Sequence, residues 1–118
     1  SDIISVHVVL SERTRALVGR DDIARMKRSA YLVNTSRGPI IDQAALLETL
    51  QQRKIAGAGI DVFSVEPLPV GHPFRKLDNI VLTPHLGYVT EEGFRNHYRQ
   101  MVEGIGAWLK GEPLRRLA

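Results

Sequence analysis

Three polar islands in this chain each follow directly on an apolar run: Asn34-Thr35-Ser36-Arg37-Gly38, Asp61-Val62-Phe63-Ser64-Val65-Glu66-Pro67 and Pro84-His85-Leu86-Gly87. A guanidinium, a carboxylate and an imidazole therefore stand just past segments that read as strands. In open α/β sheets, ligands bind beyond the carboxyl ends of the strands, where loops distant in sequence converge. Arg37, Glu66 and His85 are the first candidates for chemistry.

Each brings a distinct capability. Arg37 can hold a carboxylate through two parallel hydrogen bonds, which a lysine could not reproduce, and Gly38 after it lets backbone come close to a ligand. His85, bracketed by Pro84 and Gly87, has an imidazole suited to proton transfer near neutrality, and Glu66 is the carboxylate that would favour its charged form. Taken singly, each has a plain alternative: a surface arginine paired with an acid, a surface histidine, a loop glutamate. His7, His72 and His97 read as strand, loop and helix residues, although His7, near a strand end, could approach a cofactor.

The elements that must position these groups alternate. Ile3 to Val9 is β-branched and nearly continuous, as in a strand buried on both faces. A short helix follows, with Asp21 and Asp22 at its start, Ile23 and Met26 inward and Lys27-Arg28 in its last turn. Tyr31-Leu32-Val33 forms a second buried strand, and Asp42 caps a helix that carries Leu46, Leu47 and Leu50 and ends near Gln52. Ile55 to Ile60 and Ile80-Val81-Leu82 are strands three and four, separated by a long loop in which Pro67, Pro69, Gly71 and Pro73 prevent regular structure and which is the most mobile segment expected. A long helix runs from its cap Thr90 to about Lys110, its stripe from Phe94 to Leu109 requiring something to pack on, with Gly111 as a stop. Strands alternating with helices predict an α/β fold, a parallel sheet with flanking helices.

With 118 residues, 43% of them hydrophobic, the chain is expected to form one globular unit over 1–118, of which 91–118 is the long helix and a tail. There is no cysteine, which removes disulfides and thiolate metal sites, and no metal-ligand spacing is present. The net charge of +3 is dispersed in pairs such as Lys27-Arg28, Arg53-Lys54, Arg75-Lys76 and Arg115-Arg116, without an aromatic platform. Solvated helix ends and loops explain them better than a phosphate-tracking surface, so neither nucleic acid nor membrane is an expected partner. Gly57-Ala58-Gly59-Ile60-Asp61-Val62 imitates a dinucleotide fingerprint, but Val62 stands at the third glycine position and no helix follows. Those glycines instead read as room for a neighbouring helix, and Asp61 as an acceptor for a ligand amide.

Together, Asn34 to Asp42, Gly59 to Pro67 and Pro84 to Gly87 resemble, in content, order and gaps, the signatures of the D-isomer-specific 2-hydroxyacid dehydrogenases. Ser5 to Val8 and Gly19 to Lys27 are similar to further segments of that family. The resemblance implies a Rossmann-like fold, the C-terminal half of a doubly wound NAD-binding domain, with NAD or NADP as cofactor. It implies that Arg37 binds the substrate carboxylate, that His85 exchanges a proton with the substrate oxygen, and that Glu66 holds His85. Asp61 would contact the nicotinamide carboxamide, while Val9, Thr35, Ser36 and Gly87, with His7, Arg37 and His85 nearby, would line the cofactor cleft.

The implied reaction is reduction of a small 2-oxo acid, of the glyoxylate or hydroxypyruvate type, by a cytoplasmic homodimeric parent enzyme. A rival is a non-catalytic binding or corepressor-type module of the same fold. The glycine-rich turn of the family is not in this sequence, so the chain resembles a C-terminal piece, expected to be inactive alone and either to self-associate through its first strand or to be marginally stable.

Overall fold

A computed structural model describes residues 1–112, 114 and 115; Arg116, in the last of the charge pairs above, and the end of the expected tail lie outside the described residues. The chain divides into two compact units, Ser1–Gly87 and Tyr88–Ala118, where size alone implied one.

The first unit holds four parallel strands, β1 (Ile3–Val6), β2 (Tyr31–Asn34), β3 (Gly57–Ile60) and β4 (Ile80–Leu82), in spatial order β1-β2-β3-β4. Between them lie α1 (Arg20–Ala24) and α2 (Gln43–Gln51). This is the α/β architecture expected from the alternating pattern. The core joins one face of the sheet, with Val6, Leu32, Ala58 and Ile60, to Ile23 of α1 and Leu46 and Leu50 of α2. Register explains the selection, because Ile4, Leu32, Ala58 and Ile80 are aligned neighbours and therefore share a face.

The opposite face is open. Ile3, Tyr31 and Val81 on it are 66%, 52% and 67% exposed, so β1 is not the doubly buried strand its composition implies. β1 also stops at Val6 rather than Val9: among the described residues it is an edge strand paired with β2 alone, which ends opposite it at Asn34. β3 begins at Gly57, not Ile55; Ile55 is buried ahead of the ladder. The glycines of β3 make room for something other than a helix: a Cβ on Gly57 would stand 2.8 Å from the Asn79 carbonyl oxygen and 3.1 Å from the Tyr31 ring.

α1 is shorter than its charge pattern implies. Asp21 and Asp22 do occupy its first turn, but it ends at Ala24, before Lys27 and Arg28. Lys27 pairs instead with Asp2, at 2.9 Å. α2 follows expectation, with Asp42 Oδ1 accepting the Ala45 amide at 3.0 Å. The proline-rich connection contains a 3-10 turn, Pro73–Lys76, whose Phe74 is wholly buried.

The second unit is dominated by α3 (Glu91–Leu109). Thr90 Oγ1 accepts the Gly93 amide at 3.0 Å, and Gly111, at φ +78°, lies just past the other end. Among the described residues, none of α3 is buried. Among the described residues, no helix is long and apolar enough to cross a membrane.

The Asp42 cap yields a direct test. Asp42→Ala is expected to lower stability by ~1 kcal/mol, whereas Asp42→Asn retains most of it. Urea unfolding of both variants measures the difference.

Candidate active site

The last residues of the four strands, Val6, Asn34, Ile60 and Leu82, are register partners and form one row across the sheet. The loops starting at His7, Thr35, Asp61 and Thr83 therefore leave the same edge at the same level. They are tied to one another, mostly through backbone. Ser36 Oγ donates to the Val8 carbonyl oxygen, joining the first two loops. Gly38 joins the second and third, since a Cβ there would stand 2.1 Å from the carbonyl carbon of Phe63 and 2.5 Å from the Ser64 nitrogen. Its missing side chain thus admits another loop of the chain, not the ligand expected from sequence. Gly87 lies against Thr35 and Asp61, bringing the fourth loop onto the others.

Asn34, 1% exposed, shapes the Arg37 loop: its Oδ1 accepts the Ser36 amide and its Nδ2 donates to the Arg37 carbonyl oxygen, both at 3.0 Å. Arg37 itself is exposed, with Nη1 donating to the Ser36 carbonyl at 2.7 Å. That uses one corner of a guanidinium with five donors.

Asp61, 4% exposed, organises the fourth loop. Its carboxylate accepts hydrogen bonds from Thr83 Oγ1, the Leu86 amide at 2.7 Å and the Gly87 amide at 2.8 Å. Its carbonyl accepts the His85 amide at 2.9 Å. Burial pushes the Asp61 carboxyl upward, but the hydrogen bonds from Thr83, Leu86 and Gly87 outweigh burial and hold it below the ordinary aspartate range. The turn so anchored places His85 at φ +60°, a left-handed conformation that histidine, asparagine and aspartate tolerate better than most residues.

There His85 Nδ1 lies 2.8 Å from Glu66 Oε2, while Glu66 Oε1 accepts the Phe63 amide at 2.8 Å. The hydrogen bond to His85 and then that from Phe63 hold the Glu66 carboxyl below the ordinary glutamate range, with smaller help from the charges of His85 and Arg37. Near neutrality Glu66 is thus an acceptor only, so Nδ1 carries the hydrogen between them. The two side chains are 34% and 35% exposed, and a cavity of about 520 Å³ lies beside them.

The structure brings Glu66 and His85 into contact, with Arg37 near enough for its charge to act on Glu66. Thr35, Asp61 and Gly87 gather beside them. His7 is exposed just past β1, its Nε2 2.8 Å from Ser5 Oγ, and Val9 is 83% exposed. Sequence reasoning assigns no role to Asn34 or Thr83. An asparagine two residues before a serine at a strand end is an Asx-turn signal that could have identified the first, whereas nothing local marks Thr83.

The edge suits a nicotinamide dinucleotide in its chemistry. Val9, just past β1, presents exposed apolar surface, and Thr35 and Asp61 stand with polar groups beside the bare backbone of Gly87.

Acid should loosen this edge. A carboxyl with a lowered folded-state pKa contributes stability above its unfolded value, near pH 4, and loses it as pH falls through the folded value. Asp61 and Glu66 both behave so. Asp61→Asn is expected to cost about 1–3 kcal/mol at pH 7, because an amide cannot serve every donor aimed at it, and to flatten the stability-pH curve below about pH 4. Urea midpoints between pH 3 and 7 report both effects.

Residues 1–87 match the D-isomer specific 2-hydroxyacid dehydrogenase, NAD binding domain family. A glyoxylate reductase of Thermofilum pendens is 45% identical over 112 residues, covering 95% of this chain and 33% of that protein. The TT0316 protein of Thermus thermophilus has a similar solved structure, with a TM-score of 0.91, 39% identity and coverage of 100% of this chain and 38% of that one. A D-isomer specific 2-hydroxyacid dehydrogenase of Xanthobacter autotrophicus Py2, solved with NADPH and MES, superposes with a TM-score of 0.78, 40% identity and coverage of 100% and 48%. The chain spans about a third of the length of the relatives it matches. With its parallel Rossmann-like sheet and this pattern over most of its length, the chain belongs to the D-isomer specific 2-hydroxyacid dehydrogenase family, in the region of its NAD-binding domain.

Proposed function

We propose that the protein carrying this chain is an NAD(P)-dependent reductase of small 2-oxo acids, acting on substrates of the glyoxylate or hydroxypyruvate type. One observation carries the reading: the 2.8 Å contact between Glu66 and His85, at the same strand-end edge as Arg37. The Thermofilum pendens relative is a glyoxylate reductase, which supports the substrate class.

In this reading Arg37 binds the substrate carboxylate through a two-point fork, fixing the neighbouring carbonyl. A bound nicotinamide supplies the hydride. His85 Nε2 gives its proton to the carbonyl oxygen as that oxygen becomes a hydroxyl, and in the reverse direction recovers it. Glu66 stabilises the imidazolium and fixes the ring through Nδ1. Asp61 holds the His85 turn and would contact the nicotinamide carboxamide. Val9, Thr35, Ser36 and Gly87 form the cofactor side of the cleft, with His7 at its margin. The reading includes a cytoplasmic homodimer.

The assay uses the full-length protein with a 2-oxo acid and NADH or NADPH. His85→Ala is expected to lower kcat by roughly 10²–10⁴-fold, the usual contribution of a positioned general acid. Glu66→Gln should shift the pH profile of reduction, because His85 loses the carboxylate paired with its Nδ1. An unmoved profile would separate Glu66 from the chemistry.

Arg37→Lys is expected to lower kcat/KM by roughly 10- to 100-fold, the kinetic equivalent of a charged hydrogen bond worth about 1.5–3 kcal/mol. Steady-state kinetics on glyoxylate and hydroxypyruvate measure it, and an unchanged kcat/KM would remove Arg37 from the site.

A further inference from the structure

We propose that Arg75 is a positioning residue for Glu66: its guanidinium clamps the backbone just past Glu66-Pro67 and so keeps the carboxylate against His85. The inference rests on Glu66 and His85 being the proton-transfer pair.

Packing alone does not hold Glu66 in place. A cavity of about 520 Å³ lies beside it, lined by Glu66, His85, Leu68 and Arg75 among others. The carboxylate is fixed by two hydrogen bonds, and its aim depends on the path of the chain that leaves it. That path is set by Arg75. Nε donates to the Pro69 carbonyl oxygen at 3.1 Å and Nη2 to the Leu68 carbonyl oxygen at 2.8 Å. A planar fork can span two consecutive carbonyls in this way, which a lysine ammonium cannot reproduce.

The clamp has a firm base. Arg75 follows Phe74, which is wholly buried, within the 3-10 turn, and His72 Nδ1 accepts the Phe74 amide at 3.2 Å. Leu68, at the clamped end, is 8% exposed. One buried apolar anchor therefore stands on each side of the bridge, and the bridge closes the connection whose prolines and glycine mark it in sequence as the most mobile part of the chain. Both of these Arg75 bonds end on main-chain oxygens, so its influence on Glu66 passes through the backbone.

A double-mutant cycle in the full-length protein tests this. Arg75→Gln is expected to lower kcat for 2-oxo acid reduction about tenfold, short of the roughly 10²-fold cost of a 1 Å misplacement, with KM little changed. The pH profile should move in the direction that Glu66→Gln moves it. In the Glu66→Gln background the same substitution should change kcat by no more than about twofold, because the group it positions is gone. Additive losses, or an unaltered pH profile, would overturn the proposal. Should Arg75→Gln fail to fold, Arg75→Lys, which can serve only one carbonyl, carries the same cycle and the same two outcomes.

A second measurement separates this inference from the reading beneath it. Carbon-13 NMR of the Glu66 carboxyl, assigned by its loss in Glu66→Gln, should show its titration moving upward in the Arg75 variant as the contact with His85 loosens. If Glu66→Gln leaves kinetics intact, the proton-transfer reading fails and the titration decides alone: an upward move supports the clamp, and an unmoved titration rejects it.

Discussion

Asp61 is the residue on which both the sheet and the site depend. Its amide donates to the Asn34 carbonyl oxygen and its carbonyl accepts the His85 amide, so its backbone extends the contacts between β2, β3 and the loop after β4. Its side chain then accepts Thr83, Leu86 and Gly87 in the same loop. Removing a carboxylate from water is costly, and it is offset here only because three donors converge on it. That convergence fixes the turn in which His85 stands. The row of strand ends brings the loops to one level, and Asp61 binds one of them to the sheet.

Two carboxylates a few residues apart on one loop are thereby given different work. Asp61 is buried and engaged by the chain's own donors, which makes it a structural anchor. Glu66 is about a third exposed, with one oxygen on the Phe63 amide and the other on His85. Both are held below the ordinary carboxylate range, but it is Glu66 whose side chain contacts the His85 ring directly. Environment, not residue type, separates the roles. Gly38 contributes at a distance, since it lets the Phe63–Ser64 backbone settle against the Arg37 loop and so brings the donor of Glu66 beside the cation.

Much of this is legible in the sequence because local chemistry and global fold agree. Arg37, Glu66 and His85 lie just after apolar runs, and parallel pairing collects whatever follows such runs at one edge. Asp42 and Thr90 are caps that act within a single turn, so tertiary context has little opportunity to override them. Failures come where partners lie far along the chain. Ile3 and Tyr31 look like core residues, but burial depends on which sheet face receives a helix, and α1 and α2 cover one face. Gly38 and Gly57 signal close approach without revealing what approaches. Arg75 belongs to a charge pair that reads as solvated surface, and only the path of the backbone turns it towards Leu68 and Pro69.

The left-handed turn at His85 bears on how such a protein can change its occupation over generations. Asparagine adopts that backbone conformation readily, and one nucleotide separates a histidine codon from an asparagine codon. The amides of His85, Leu86 and Gly87 would still meet Asp61, since those bonds use main chain on the loop side. A single base change would thus remove the imidazole from this edge while leaving the architecture intact. The same scaffold stands one step from losing that imidazole and keeping the rest of its surface.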